Sequence, residues 1–237
     1  MNKPATTVEP QYQFHVDYKN SGGLVPLGIE KSGSWQEDPR RLLFALSRYK
    51  FVAKMFSGLD NVLEVGCGDG WPIPILLQEV RHVHGVDIDP VFINDIHERG
   101  VSPKWSYTYA VHDMLSGPLQ SEFDAAYSLD VLEHISANDE SIFLKNVVLS
   151  LKKNGIAIFG MPSLNSQEYA SAGSKAGHVN CKNGPELKVL LQKYFNHVFI
   201  FSMNDEVVHT GFQPMAQYLF GLCTGIKHSE LIETSTL

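Results

Sequence analysis

The stretch VLEVGCGDG, residues 62–70, runs an apolar strand pattern straight into three glycines that alternate with Cys67 and Asp69. Backbone that bare at the end of a buried strand constrains the whole chain. Glycine lets the main chain turn tightly and lets another group touch it, and such a turn belongs between a strand and a helix. The residues that follow keep that rhythm. After NVLEVG come a helix-like stretch over 71–80, HVHGVD (82–87), a helix from about 91 to 98, and KWSYTYAV (104–111). FDAAYSL (123–129), a helix with Leu144, Val147, Val148 and Leu151 on one face, and GIAIFGMP (155–162) continue the series. A helix opening at Pro185, then HVFIFSM and EVVHTGF, close it. Five alternations of short apolar strand and helix imply a mainly parallel sheet covered on both faces. The last two strands are joined only by NDE, too short for a crossover, and must pair antiparallel.

Residues 1–37 are rich in Gly, Pro and polar residues, and NSGGLVPLG and KSGSW read as loops that wrap a preformed surface. Asp38 and Pro39 supply an N-cap and a first helical position. Leu42, Ala45, Leu46, Tyr49, Val52, Ala53 and Phe56 then recur at helical spacing until Gly58. The expected organisation is one globule, with residues 1–58 forming an extension and helix that cap a site and residues 59–237 forming the main domain. Nineteen basic against 26 acidic side chains leave a net charge of −7, which disfavours a nucleic-acid partner. Cys67, Cys181 and Cys223 lie far apart in no metal-ligand spacing, as reduced thiols of a cytoplasmic protein would. No apolar run approaches the ~20 residues that span a bilayer, and the first ten residues lack a signal core, so a soluble protein without a membrane partner is expected.

Open parallel sheets bind ligands at the carboxyl ends of their strands, and the first strand-to-helix turn is the usual cradle. Glycine-rich turns there serve NAD, FAD, nucleotides and S-adenosylmethionine alike. The spacing discriminates among them. A dinucleotide turn reads GxGxxG, but the sixth position is Trp71 counted from Gly66 and Ile73 counted from Gly68. The pattern is ExGxGxG, with Trp71, Pro72 and Pro74 crowding the place a pyrophosphate would take.

VLEVGCGDG resembles the first motif of the class I S-adenosylmethionine-dependent methyltransferases. VDIDP (86–90), HDML (112–115), FDAAYSLDVLEHI (123–135) and LKKNGIAIFGMPS (151–163) follow in that family's order, so the resemblance spans roughly residues 60–165. The later HVF and VVHTGF segments resemble its closing hairpin. The resemblance implies a Rossmann-like three-layer sandwich with a seven-stranded, mostly parallel sheet and a C-terminal antiparallel hairpin, binding S-adenosyl-L-methionine. It implies a cofactor site of Glu64, Gly66, Cys67, Gly68, Asp87, Ile88, Asp113, Met114 and Leu129. Asp87 would accept the ribose hydroxyls, Ile88 would face adenine, and Asp113 with the Met114 amide would meet the adenine edge. Asp113 read as a helix cap is compatible with that role. Glu64 would order the glycine turn through its amides or meet the ligand's amino group; Cys67 packs as a small residue in the turn.

Methyl transfer from a sulfonium is an in-line displacement, so the protein chiefly aligns the acceptor and excludes water. A base is needed only where the acceptor must lose a proton. The catalytic candidates are Asp130, His134 and His178, with Glu133 beside them. Glu133 and His134 also read as a helix-turn surface, and His178 as a loop-stabilising residue. No second Glu/His cluster of ligand spacing stands in the sequence, so no metal is expected. The stretch 163–184 is long and rich in Ser, Gly and Asn, like a lid. Trp35, Arg40 or Arg41 would close the site from the N-terminal side; His209 reads as a hydrogen-bonded sheet residue. The expected activity is methylation of a small polar acceptor, a sugar or metabolite, at oxygen. Its rivals are an NAD-linked oxidoreductase, which fails on glycine spacing, and a cofactor-binding regulatory protein without turnover.

Overall fold

Residues 5–120 and 123–227 are described by the computed structural model. Their strands are β1 (Asn61–Val65), β2 (His82–Asp87), β3 (Tyr107–Val111), β4 (Phe123–Leu129), β5 (Leu151–Pro162), β6 (Phe195–Asn204), β7 (Val207–His209) and β8 (Tyr218–Ile226). The helices are α1 (Gln13–Asn20), α2 (Ile29–Glu37), α3 (Arg40–Met55), α4 (Ile73–Leu76), α5 (Pro90–Arg99), α6 (Glu140–Leu149), α7 (Ala172–Gly177) and α8 (Gly184–Leu191). The strands form one sheet in the order β3-β2-β1-β4-β5-β8-β6-β7. β1 to β5 run parallel, and β8 runs antiparallel to both of its neighbours.

Adjacent residues of one strand serve opposite layers, because strand side chains alternate across the sheet. Val62 belongs to the core cluster that holds Val52 of α3, Phe56 just past its end and Leu76 of α4. Leu63 belongs to the opposite cluster, with Phe143 and Val147 of α6 and Leu187 and Leu190 of α8. Burial on both faces explains why these strands read as continuous apolar runs. Strand order reverses between β1 and β4, so the carboxyl ends of β1, β2 and β4 meet at one edge of the sheet. Among the described residues, no helix is long and apolar enough to cross a membrane.

Several expectations change in detail. Eight strands are present among the described residues rather than seven, and the added one is informative. The β6–β7 pair is antiparallel, as its short connection requires, but β7 is a three-residue edge strand. The strand between β5 and β6 is β8, whose YLFGLCTGI carries two glycines that dilute its strand signal. KSGSW lies inside the helix α2 rather than in a loop, while NSGGLVPLG is irregular after Asn20, where α1 ends. The helix expected over 71–80 shrinks to four residues after Pro72, and residues 104–106 fall outside β3. The 163–184 stretch folds into a 3-10 segment and α7.

Phe220 is fully buried in β8, whereas Val207 in β7 is exposed. Phe220→Ala should cost about 3–5 kcal/mol and Val207→Ala less than about 0.5 kcal/mol. Urea unfolding reads both; equal costs would contradict the inserted position of β8.

Candidate functional site

The turn after β1 is held from the side of β2. Gly66 and Cys67 both donate their N–H to Val86 O (2.8 and 3.0 Å), and the Gly68 N–H donates to Asp87 Oδ2 at 2.9 Å. The other oxygen of Asp87 accepts from the Asp89 N–H at 2.9 Å. The backbone is left-handed at Gly68 (φ +50°), and a Cβ there would stand 2.8 Å from Glu30 Oε2. A side chain there would be strained by the backbone and would push the Glu30 carboxylate aside. Asp69, fully buried, faces the other way. Its Oδ2 accepts the Lys31 N–H at 2.9 Å and its Oδ1 the Trp71 N–H at 3.1 Å. Asp69 thus caps the first turn of α2 from a distant part of the chain and fastens that helix to the glycine turn.

Glu64 does not join the turn's amides. It is buried beneath the site, accepts the Tyr49 hydroxyl at 2.5 Å, and keeps Oε2 without a hydrogen-bond partner. It makes no hydrogen bond to the turn's amides, which corrects that expected contact, and it is absent from the cleft wall. Burial pushes its carboxyl up to about 8, while the Tyr49 hydrogen bond and the Lys31 charge pull the other way.

A cleft of about 1080 Å³ opens over this turn. That volume stands near the top of the range for ligand sites. The other expected cofactor residues, Gly66, Cys67, Gly68, Asp87, Ile88, Asp113, Met114 and Leu129, all line it, as do Asp130, His134 and His178. Asp113 Oδ1 accepts the Leu115 N–H at 2.8 Å within a turn, and no helix follows it before β4 among the described residues, so the expected helix cap is not made. Cys67 is buried, and burial raises its thiol far above the usual range, consistent with a packing residue. His209 is bonded to Asn204 in the sheet margin at 2.9 Å.

At the far end of the cleft, Asp130 adopts φ +58°, a conformation that few side chains other than Gly and Asn take up. Arg48 Nη1 donates to its Oδ2 at 2.6 Å, and the Arg48 guanidinium lies 3.9 Å from the Tyr218 ring centroid. Glu133 is 1 % exposed; burial, then the neighbouring Asp130 charge, push its carboxyl up to about 9, and its Oε2 has no hydrogen-bond partner. His134 Nδ1 lies 2.8 Å from Gly177 O, an acceptor, so the neutral ring carries its proton there and turns a lone pair on Nε2 toward the cluster. His178 does the same against Gln167 Oε1 at 2.8 Å, and burial together with His134 lowers its pKa. The two rings meet edge to face at 5.2 Å. Ligand atoms of Glu133, His134 and His178 lie within 4.8 Å of one another, a set that a divalent cation would suit. Folding therefore assembles a cluster that chain spacing hides, since His178 arrives from 44 residues away; the expectation of no ligand cluster is corrected.

The N-terminal wall differs from expectation. Trp35 and Arg40 do not line the cleft, Trp35 being 57 % exposed and Arg40 paired with Asp38. The wall is built by Glu30 and Lys31 of α2 and by Arg41, Phe44, Ala45 and Arg48 of α3. The last four share one face at helical spacing; Arg41 was expected at the site and Ala45 in the apolar series, whereas Phe44 and Arg48 are passed over when α3 is read by its buried apolar residues.

Residues 63–159 match the methyltransferase domain family. A ubiquinone biosynthesis O-methyltransferase of Xylella fastidiosa (strain M23) is 31 % identical over 111 residues, covering 44 % of this chain and 45 % of that protein. The chain spans about half the length of the curated relatives it matches. Among solved structures, an S-adenosylmethionine-dependent methyltransferase from Clostridium acetobutylicum superposes with TM-score 0.63 at 11 % identity, covering 82 % of this chain and 97 % of the other. The N-methyltransferase NodS of Bradyrhizobium japonicum with bound S-adenosyl-l-homocysteine gives 0.59 at 18 % identity, over 88 % and 97 %. At these identities the structural likeness is one of fold.

The raised pKa of Glu64 has a consequence for stability. Its folded pKa stands above the unfolded carboxylate value, so its contribution is present at low pH and is lost as pH rises from about 4.3 toward 8. In Glu64→Gln, which keeps a partner for Tyr49, that loss disappears. The Tm of the variant relative to the natural protein should climb between pH 5 and 8, at about 2–4 °C per kcal/mol, and level off above pH 9. Parallel Tm profiles would contradict a neutral, buried Glu64.

Proposed function

We propose that the chain is a class I S-adenosylmethionine-dependent methyltransferase, a reading that the match of residues 63–159 to the methyltransferase domain family supports, and that it methylates an oxygen of a small polar molecule. The observation that carries this reading is the pairing of two ends in one cleft. At one end Asp87 is fixed 2.9 Å from the Gly68 N–H; at the other, Glu133, His134 and His178 converge. The cradle fits an adenosyl compound: bare main chain at Gly68, a carboxylate at the end of β2, and the exposed apolar face of Ile88. S-adenosylmethionine supplies an electrophilic methyl group, and the chain's task is to line up an acceptor behind it.

An oxygen acceptor is favoured because two imidazole lone pairs face the acceptor end, where a hydroxyl proton must go. His178 is the proposed base or orienting residue, with His134 and Asp130 beside it. The name of the curated relatives, O-methyltransferases, agrees. A second reading of the same cluster is favoured by the partnerless Oε2 of buried Glu133: with the two Nε2 atoms it would hold a divalent cation that orients the acceptor oxygen. Net charge −7 and the acidic residues at the cleft support a small molecule, sugar or metabolite, over a nucleic acid. Three free cysteines agree with a cytoplasmic setting.

In thermal-shift measurements S-adenosylhomocysteine should raise Tm and NAD should not; the reverse would favour an oxidoreductase. His178→Ala should lower turnover about 10²- to 10⁴-fold with S-adenosylhomocysteine affinity unchanged; full turnover would remove His178 from the mechanism. Chelation by EDTA separates the two uses of the cluster, since turnover lost and then restored by added Mg²⁺ or Mn²⁺ selects the cation reading.

A further inference from the structure

Strand β6 is uncovered along most of one edge. β8 pairs with it from Phe195 to Met203, but on the other side β7 reaches only Ser202, Met203 and Asn204. Among the described residues, no backbone group bonds to the outer side of residues 195–201. Alternate N–H and C=O groups point outward there, a template for another strand. Proteins ordinarily guard such an edge with a charge, a proline or a bulge. The run FNHVFIF holds no Asp, Glu, Lys, Arg, Gly or Pro. Its register with β8 is constant from Phe195 to Met203, so no bulge turns it away. Phe199 in its middle is 54 % exposed, and a groove of about 480 Å³ follows residues 198–201 between Pro185 and Lys188 of α8 and Thr210 beyond β7. An uncharged, strand-prone run of this length invites uncontrolled stacking when it is left open, which a specific cover prevents.

The charges at the two ends of β6 say what that cover is. Exposed Lys193 precedes the strand, and exposed Asp205 and Glu206 follow it. A second copy laid along the edge about a two-fold axis runs antiparallel, the direction that β7 and β8 already take beside β6. Lys193 of each copy is then carried toward the acidic turn of the other, and the uncharged runs meet without like charges. The path is clear as well: the second β6 continues the line of β7, and its chain leaves that line at Tyr194, where the Tyr194 N–H closes the turn after α8 on Leu191 O. We propose that two copies of this chain pair through residues 195–201 of β6, antiparallel, joining their sheets into one. Val207 of β7 and Val189 of α8, both exposed, add apolar surface beside the joint. The sheet's other edge, β3, is shorter, at five residues. No residue of β6 lines the cleft, so this surface is independent of the methyltransferase reading.

Sedimentation velocity of the full chain across about 1 to 100 µM tests this, since a dimer forms by mass action. The natural protein should sediment at twice the mass of one chain. Phe199→Lys sets a charge from each copy into the joint and should weaken the dimer about tenfold or more. Val111→Lys, at an exposed position of β3, should leave the dimer unchanged. Far-UV circular dichroism and Tm check that the variants fold. Lys193→Glu and Glu206→Lys should each weaken the dimer about threefold or more, and the double variant should restore it. This charge exchange keeps the test in force should Phe199→Lys unfold. A monomer at the highest concentration overturns the proposal and leaves the edge to a different chain. A dimer that Phe199→Lys leaves intact, or that Val111→Lys breaks, overturns it by moving the joint elsewhere. Charge variants that weaken the dimer singly without restoring it together overturn the antiparallel arrangement.

Discussion

The turn at residues 66–70 is held between two carboxylates, and the rest of the site depends on that arrangement. Asp87 takes the Gly68 N–H and so fixes the end of β2 against the end of β1. Asp69, buried and facing the opposite way, takes the Lys31 N–H and so brings α2 to the same turn. Charge-assisted hydrogen bonds of this kind are roughly twice as strong as neutral ones, and they are costly to leave unmade when buried. The glycine turn is therefore both the floor of the cleft and the anchor of its N-terminal wall. Residues scattered over more than 100 positions meet there because the strand order reverses between β1 and β4.

Around this frame the chain keeps polar atoms that folding alone does not satisfy. Glu64 and Glu133 are each 1 % exposed and each has one oxygen without a hydrogen-bond partner. Burial holds both in the neutral form well above the ordinary carboxylate range. Their settings differ, and so do their parts. Glu64 lies under the turn, tied to Tyr49, and belongs to the supporting layer. Glu133 lies on the cleft wall with the two histidines, where an incoming group can meet it. Asp130, left-handed in its backbone and paired with Arg48 through its side chain, stands at the same end.

What the sequence made legible follows from the range of each interaction. The βαβ alternation from residue 62 to 162 is a local pattern, and it located five parallel strands and the residues at their carboxyl ends. Gly66, Gly68 and Asp113 closely follow, and Asp87 and Leu129 end, strands that could be read directly. β8 was not legible, because two glycines weaken a strand whose place is set by its neighbours on both sides. α2 was not legible either: KSGSW has poor helix propensity, and what fixes the helix is Asp69, 38 residues away. The Glu133, His134 and His178 cluster is of the same kind, since α7 carries His178 back across the strand ends. Arg48 was hidden for another reason, as attention to the apolar face of α3 leaves its cleft-facing stripe unread.

The most direct test of the account is a crystal structure of the full chain with S-adenosylhomocysteine. It predicts the ribose hydroxyls at Asp87, the adenine between Ile88 and Met114, and the sulfur pointing toward Asp130 and the histidine pair. A cleft that stays closed by its own side chains, or one that takes a pyrophosphate-linked nucleotide across the glycine turn instead, would contradict it.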